Sequence, residues 1–377
     1  MTVTLLFVGL SLFYGAVMLC FALGVVRERR RKPARNSDQP LVTVIVPARN
    51  EAAAIHSTLE SLACQTYPTS RLQILIVDDH STDGTGEVVQ RFIDRRGLSH
   101  FRLLRHHRDG SRPTYKKAAI THAMQFARGE IILTVDGDCR VQPRWVESMV
   151  ARYDADTGMV AGLVTFAPES VQTLFHKLQT LEFAGLVFAG VGAVGNHYPL
   201  ICNGSNLSYR RAAFEEVGGF AGHDHLPSGD DDLLMQNLHR RTRWKIRYNL
   251  DPQSINYTRP VDTLKAFMHQ RSRWASKSTH YPGIPTIILL AAIYLFYLLL
   301  LMLTPVTLAG LFSWKFYALA LALKWVPEFL ILYPGLTILG YRRLAVYFPL
   351  AQLLQVPYIV VAGCAGFFRL FKWKGDP

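Results

Sequence analysis

Aspartates recur in this sequence at spacings that suit chemistry. The stretch "DGDC" (136–139) sets Asp136 and Asp138 two residues apart, offering hard oxygen ligands to a divalent cation and no thiolate cluster. The stretch "LPSGDDDLLMQ" (226–236) places Asp230, Asp231 and Asp232 side by side, where one carboxylate could serve as a general base. The same row also reads as a helix start. Ser228 and Gly229 resemble a turn, carboxylates favour the positive end of a helix, and Leu233, Leu234 and Leu238 supply an apolar face. A third acidic stretch, "DDHSTDGT" (78–85), has the composition of a turn and helix cap as well.

The elements around these residues decide between the readings. "LVTVIVPA" (41–48), "LQILIVDD" (72–79), "FRLLRH" (101–106) and "EIILTVDGD" (130–138) are short runs rich in Val, Ile and Leu. Helical patterns such as 51–62 and 114–127 come between them, which predicts a mostly parallel sheet covered by helices. In open parallel sheets ligands bind beyond the carboxyl ends of the strands. "PARNE", "DDHSTDGT" and "DGDC" each follow such a strand, so three polar loops should face one crevice. Turn chemistry alone does not account for all three.

Apolar runs bracket this region. Residues 3–26 carry no charge, nor do residues 284–312, and each run is long enough to span a bilayer as a helix. The first lacks a basic start and is too long for a signal core, so it reads as a retained anchor. "RERRRKPAR" follows it directly, which predicts that the middle of the chain is cytosolic and the N-terminus outside. Further spans are expected at 316–339, where Lys324 and Glu328 sit one helical turn apart and can neutralise each other, and at 344–368, which Pro349 and Pro357 interrupt. The uncharged run 183–195 has 13 residues, too few to cross, and reads as a helix packed in the domain or resting on the membrane surface. The organisation expected is an anchor at 1–26, a basic linker at 27–39, an α/β domain at 40–280 and a membrane bundle of about three segments at 281–377. The net charge of +13 sits largely beside the apolar spans, so lipid head groups rather than nucleic acid are the expected partner. Five scattered cysteines indicate neither a disulfide framework nor a zinc site.

Taken together, "VIVPARNE" (44–51), "VDDHSTDGT" (77–85), "KKAA" (116–119), "DGDC", "NGSNLSYRRAAFEEVGGF" (203–220), "GDDD" (229–232) and "QRSRW" (270–274) resemble a membrane-bound family 2 glycosyltransferase with a GT-A fold. The motifs fall in that family's order and cover the whole region between the apolar runs. The resemblance implies an α/β architecture with a Rossmann-like, mostly parallel sheet, plus α-helical transmembrane segments. It places Asp138 on a divalent metal, Mn²⁺ or Mg²⁺, and Asp136 on the nucleotide. It sets Asp79 on the uracil, Pro47, Ala48 and Glu51 beside the base and ribose, and Lys117 near the phosphates. Asp231 is implied as the catalytic base, with Asp230 assisting in position and Asp232 favouring the helix start. Gln270, Arg273 and Trp274 match Gln-x-x-Arg-Trp, associated with the acceptor and the departing diphosphate. Trp274 offers a flat apolar face of the kind on which sugars stack. His223 and His225 border this region and are read as structural.

The function expected is inverting transfer from a UDP-sugar to a hydroxyl of a membrane lipid or lipid-linked glycan. A processive polysaccharide synthase shares Gln-x-x-Arg-Trp and stands as the alternative, and a silent membrane scaffold as the rival of another class. A nucleotidyltransferase would not call for Asp231 or the Gln-x-x-Arg-Trp element.

Overall fold

A computed structural model describes residues 2–33, 39–106, 116–222, 226 and 229–368. In chain order it contains α1 (Thr2–Arg30), β1 (Val42–Ala48), α2 (Ile55–Ala63), β2 (Leu72–Asp79), α3 (Thr85–Arg96), β3 (Phe101–His106), α4 (Lys116–Met124), β4 (Ile131–Thr134), α5 (Trp145–Val150), β5 (Thr157–Gly162), β6 (Val164–Phe166) and α6 (Leu174–Gly195). There follow β7 (Leu207–Arg210), α7 (Arg211–Glu216), α8 (Asp232–Arg241), β8 (Lys245–Asn249), β9 (Asn256–Thr258), α9 (Leu264–Ala275), α10 (Ile284–Leu308), α11 (Trp314–Ile338) and α12 (Phe348–Phe367). They form two compact units: Glu28–Ala167 with His197–Arg259, and Met1–Arg27 with Pro168–Asn196 and Pro260–Pro377.

The first unit is built on a seven-stranded sheet of order β3-β2-β1-β4-β7-β5-β8. β1 runs parallel to both β2 and β4, and β2 parallel to β3, so the carboxyl ends of all four lie along one edge. β7 is antiparallel to β4 and β5, while β5 and β8 are parallel. Both faces of β1 and β2 are covered, which is why these strands read as continuous apolar runs rather than alternating ones. On one face Val44, Val46, Ile74, Ile76 and Leu133 join Ile55, Leu59 and Leu62 of α2 and Trp145 of α5 in a closed core. Burying each such aliphatic side chain contributes roughly 1.5–3 kcal/mol. The expected strands are present, but β4 stops at Thr134. Val135 still donates its N–H to Ile45, and residues 136–138 turn out of the sheet.

The second unit gathers the apolar helices. Among the described residues, five helical stretches are long and apolar enough to cross a membrane by length and composition: Thr2–Arg30, Leu174–Gly195, Ile284–Leu308, Trp314–Ile338 and Arg342–Phe367. The second of these corrects the expectation that 183–195 is too short, because α6 continues for 22 residues through Lys177 and Glu182. Glu182 is tolerated inside this unit because Arg271 of α9 lies against it. The division also differs from a continuous 40–280 domain, since 168–196 and the residues after 260 go with the apolar helices. α6 packs on α11, and α9 on α12. Where α6 meets α1, a Cβ added at Gly24 would lie 1.9 Å from the Gly192 carbonyl, and one at Gly195 would lie 2.1 Å from the Gly24 carbonyl. Glycines there let the two backbones touch. Pro349 begins α12 rather than breaking it, and Pro357 lies within it.

Candidate active site

The carboxyl edge of the sheet carries the acidic loops, and hydrogen bonds fix them to one another. Several hydrogen bonds join the loops after β1 and β2. Asn50 N–H donates to Ser81 Oγ at 3.0 Å, Glu51 N–H to Thr85 Oγ1 at 2.9 Å, Ala52 N–H to Asp83 Oδ2 at 2.9 Å, and Thr82 N–H to Asn50 Oδ1 at 2.9 Å. Asp83 is held below the usual carboxylate range: burial is the largest single influence and raises it, but the hydrogen bonds donated by Thr85 and Ala52 together outweigh it. The loop after β4 joins the same edge, with Gly137 lying against Ala48 and Glu51. Pro47 ends the strand half-buried beside them. The residues expected around a base and ribose are therefore adjacent in space.

Asp79 is buried at the end of β2, and its Oδ1 meets His80 Nδ1 at 2.8 Å and His106 Nδ1 at 3.0 Å. His80 takes φ 61°, a left-handed conformation that a non-glycine residue adopts at some cost. These two imidazoles were not singled out by sequence, because only the sheet brings His106, at the end of β3, beside Asp79.

The chemistry-bearing carboxylates meet through a lysine. Lys116 Nζ lies 2.5 Å from Asp136 and 3.0 Å from Asp230, so one cation joins the loop after β4 to the loop before α8. Burial alone would lower the Lys116 ammonium, but the charges of Asp136 and Asp230 outweigh it and raise the group above its ordinary value. Asp136 is shifted upward too. Burial is the largest influence, Lys116 pulls against it, and the Asp138 and Asp230 charges push the same way as burial. Lys117, the residue implied near the phosphates, is 2% exposed in α4. Its neighbour in the "KKAA" doublet, Lys116, is the one whose ammonium reaches Asp136 and Asp230.

Asp231 stands at the N-terminus of α8. Its Oδ2 accepts the Gly204 N–H at 3.2 Å, and its Oδ1 accepts the Asp232 N–H at 2.8 Å. The helix-starting role expected for Asp232 is thus shared, since Asp231 caps α8 while Asp232, 1% exposed, accepts from Leu233. Gly204 sits where side chains would intrude: a Cβ there would lie 2.6 Å from Asp230 Oδ2 and 3.1 Å from Lys116 Nζ. Its loop is pinned from below. Thr134 donates to the Gly204 carbonyl at 3.0 Å, and buried Asn206 bonds Trp145, Leu163 and Ser254.

The residues present fit a hard divalent cation. Asp136, Asp138 and Cys139 offer ligand atoms close to one another. Burial, with the Asp138 and Asp136 charges, pushes the Cys139 thiol well up, so the carboxylates are the better-suited donors for such a cation. Asp138 is exposed at the strand end.

Gln270, Arg273 and Trp274 lie on α9 in the other unit. There Arg271, which the motif leaves unspecified, stacks on Trp274 at 4.3 Å, so one face of the expected sugar platform is taken by a guanidinium. His223 and His225 lie outside the described residues.

A GT-A sheet with acidic loops at its carboxyl edge, accompanied by several apolar helices, defines the class as a glycosyltransferase of that fold. The family model "Glycosyl transferase family 2" matches residues 43–218, and "Glycosyl transferase family group 2" matches residues 131–354. The second spans more than half of the chain, and the protein belongs to this family. A mannosyltransferase from Pyrobaculum calidifontis, solved with GDP-Man and Mn²⁺, is similar in fold, with TM-score 0.60 and 20% identity over 97% of this chain and 99% of that one. Glycosyltransferase AglE of Haloferax volcanii is 30% identical over 52% of this chain. Beta-monoglucosyldiacylglycerol synthase of a Nostoc strain is 25% identical over 67% of it. The matches cover 60% and 53% of those two relatives' own lengths.

Proposed function

We propose that the chain is an inverting, metal-dependent glycosyltransferase that moves one sugar from a UDP-sugar to a hydroxyl of a membrane lipid or lipid-linked acceptor. The observation that carries this reading is the Lys116 bridge, which ties Asp136 of "DGDC" to Asp230 beside Asp231. Donor-side and acceptor-side carboxylates are thereby held at one sheet edge.

In this reading Asp231 takes the proton of the acceptor hydroxyl as its oxygen attacks the anomeric carbon, and the nucleoside diphosphate leaves from the opposite side. Asp230, held by Lys116, keeps the acceptor loop in register with the donor loop. A Mn²⁺ or Mg²⁺ ion held by Asp138 would supply charge neutralisation on the departing diphosphate. Asp136 faces the nucleotide, and Asp79 with Pro47, Ala48 and Glu51 frames the base. Lys117 is assigned to the integrity of α4 and Lys116 to the phosphate side. Gln270, Arg273 and Trp274 serve the acceptor and diphosphate. The apolar helices make the protein multi-pass, with the catalytic unit on the cytosolic side that the "RERRRKPAR" cluster marks. The glycolipid synthase among the relatives supports a lipid product.

Incubating membranes with radiolabelled UDP-sugars and partitioning the product tests this. Label should enter the organic phase on a lipid bearing one sugar or very few. A long water-soluble polymer would replace this reading with the synthase alternative, and no transfer from any nucleotide sugar would leave the scaffold.

A further inference from the structure

The membrane-type unit encloses a cavity of about 760 Å³, within the range of pockets that hold a small molecule, roughly 300–1,000 Å³. Its walls come from α1, α6, α9, α10, α11 and α12. All but α9 are long and apolar enough, by length and composition, to cross a membrane. Apolar side chains dominate the lining, but Glu182, Glu328, Gln352 and Gln355 and the phenols of Tyr297 and Tyr358 also face it.

Charge decides what such a cavity can hold. Among the described residues that line it there are two carboxylates and no Lys, Arg or His. Lys324 and Arg271 do not line the cavity, and each neutralises one of these two carboxylates. Lys324 is 0% exposed, and its ammonium donates to Glu328, Gln352 and Gln355 (2.6 Å to the last), which matches its three N–H donors. Arg271 spans both oxygens of Glu182, donates to Gln270 and lies between the rings of Phe267 and Trp274, at 4.4 and 4.3 Å. A phosphate placed here would meet carboxylates and find no donor cation, and burying it unpaired costs far more than the apolar contacts return. A neutral hydroxyl instead finds carboxylate, amide and phenol acceptors.

We propose that this cavity binds an uncharged lipid with a free hydroxyl, of the diacylglycerol kind, and excludes lipid phosphates. The proposal rests on the reading of the chain as a lipid glycosyltransferase and names its acceptor class. Gly185 of α6 lines the cavity, and nothing lies within 4 Å of where its Cβ would be. Gly185→Trp should therefore project an indole into the cavity and narrow it without pressing on the backbone.

The full-length protein in nanodiscs would be titrated with dioleoylglycerol, dioleoyl phosphatidic acid and undecaprenyl phosphate, and retained lipid read by native mass spectrometry. Dioleoylglycerol retention should fall about tenfold or more in Gly185→Trp, while retention of the two anionic lipids should not respond to the substitution. Anionic lipid whose retention depends on Gly185, or dioleoylglycerol held equally by both proteins, overturns the proposal. Should the variant not fold, a photoreactive diacylglycerol on the wild-type protein decides: label on the cavity-lining residues of these six helices supports it, and label elsewhere overturns it. Transfer assays on the same samples separate the two readings. Cavity binding without transfer to any lipid removes the proposed function alone, whereas lipid glycosylation without cavity binding removes this inference alone.

Discussion

The carboxylate of Asp231 accepts from the Gly204 amide while its neighbour Asp230 is held by Lys116, so the two adjacent aspartates do different work. Asp231→Asn keeps the shape and one of the two accepted hydrogen bonds, because its amide NH2 cannot accept, and it loses the base. It should lower transfer by roughly 100-fold or more and leave UDP affinity nearly unchanged, as turnover and calorimetric titration would show. Near-normal turnover would remove Asp231 from that role. The lysine doublet gives a sharper contrast. Lys116→Met leaves Asp136 and Asp230 without the cation between them, and UDP-sugar binding should weaken about tenfold or more. Lys117→Met, at a buried position, should change the melting temperature and leave the dissociation constant alone. Equal effects of the two substitutions on binding would contradict this assignment.

At the scale of elements, the helices of the second unit are joined by polar groups inside apolar surroundings. Lys324 and Glu328 of α11 lie 3.0 Å apart, one turn along the same helix, as their spacing predicts. Gln352 and Gln355 of α12 complete the cluster, and the Tyr14 hydroxyl of α1 donates to Glu328 at 2.5 Å. Replacing one partner leaves the other charge buried and uncompensated, at a cost of about 3–5 kcal/mol. Lys324→Met should accordingly lower thermal stability in detergent, and Lys324→Met with Glu328→Leu should recover much of the loss. A double variant less stable than the single would show that the cluster stabilises the unit beyond charge balance.

For the whole molecule, the proposed metal dependence rests on strand-end carboxylates that suit a divalent cation. Exhaustive chelation should abolish transfer, and Mn²⁺ or Mg²⁺ should restore it, because Asp136 and Asp138 present oxygen donors better suited to such a cation than the Cys139 thiol. Full transfer after chelation would shift the neutralising role to Lys and Arg side chains.

The order of strands and helices in the α/β region was legible in the sequence, because a strand buried on both faces must be a continuous apolar run and each loop after it must be polar. The acidic motifs were legible for the same reason, since their residue types and their places after strands are local properties. What α6 does was not, because a helix may carry Lys177 and Glu182 among apolar neighbours only if a distant residue such as Arg271 meets the carboxylate. The family resemblance implies Lys117 near the phosphates, and nothing local in the sequence foretells that Lys116 bridges Asp136 and Asp230, or that His106 lies beside Asp79. Those outcomes depend on helix rotation and strand pairing between residues far apart in the chain. The carboxylates were written into the sequence, and the tertiary structure decided which cation joins them.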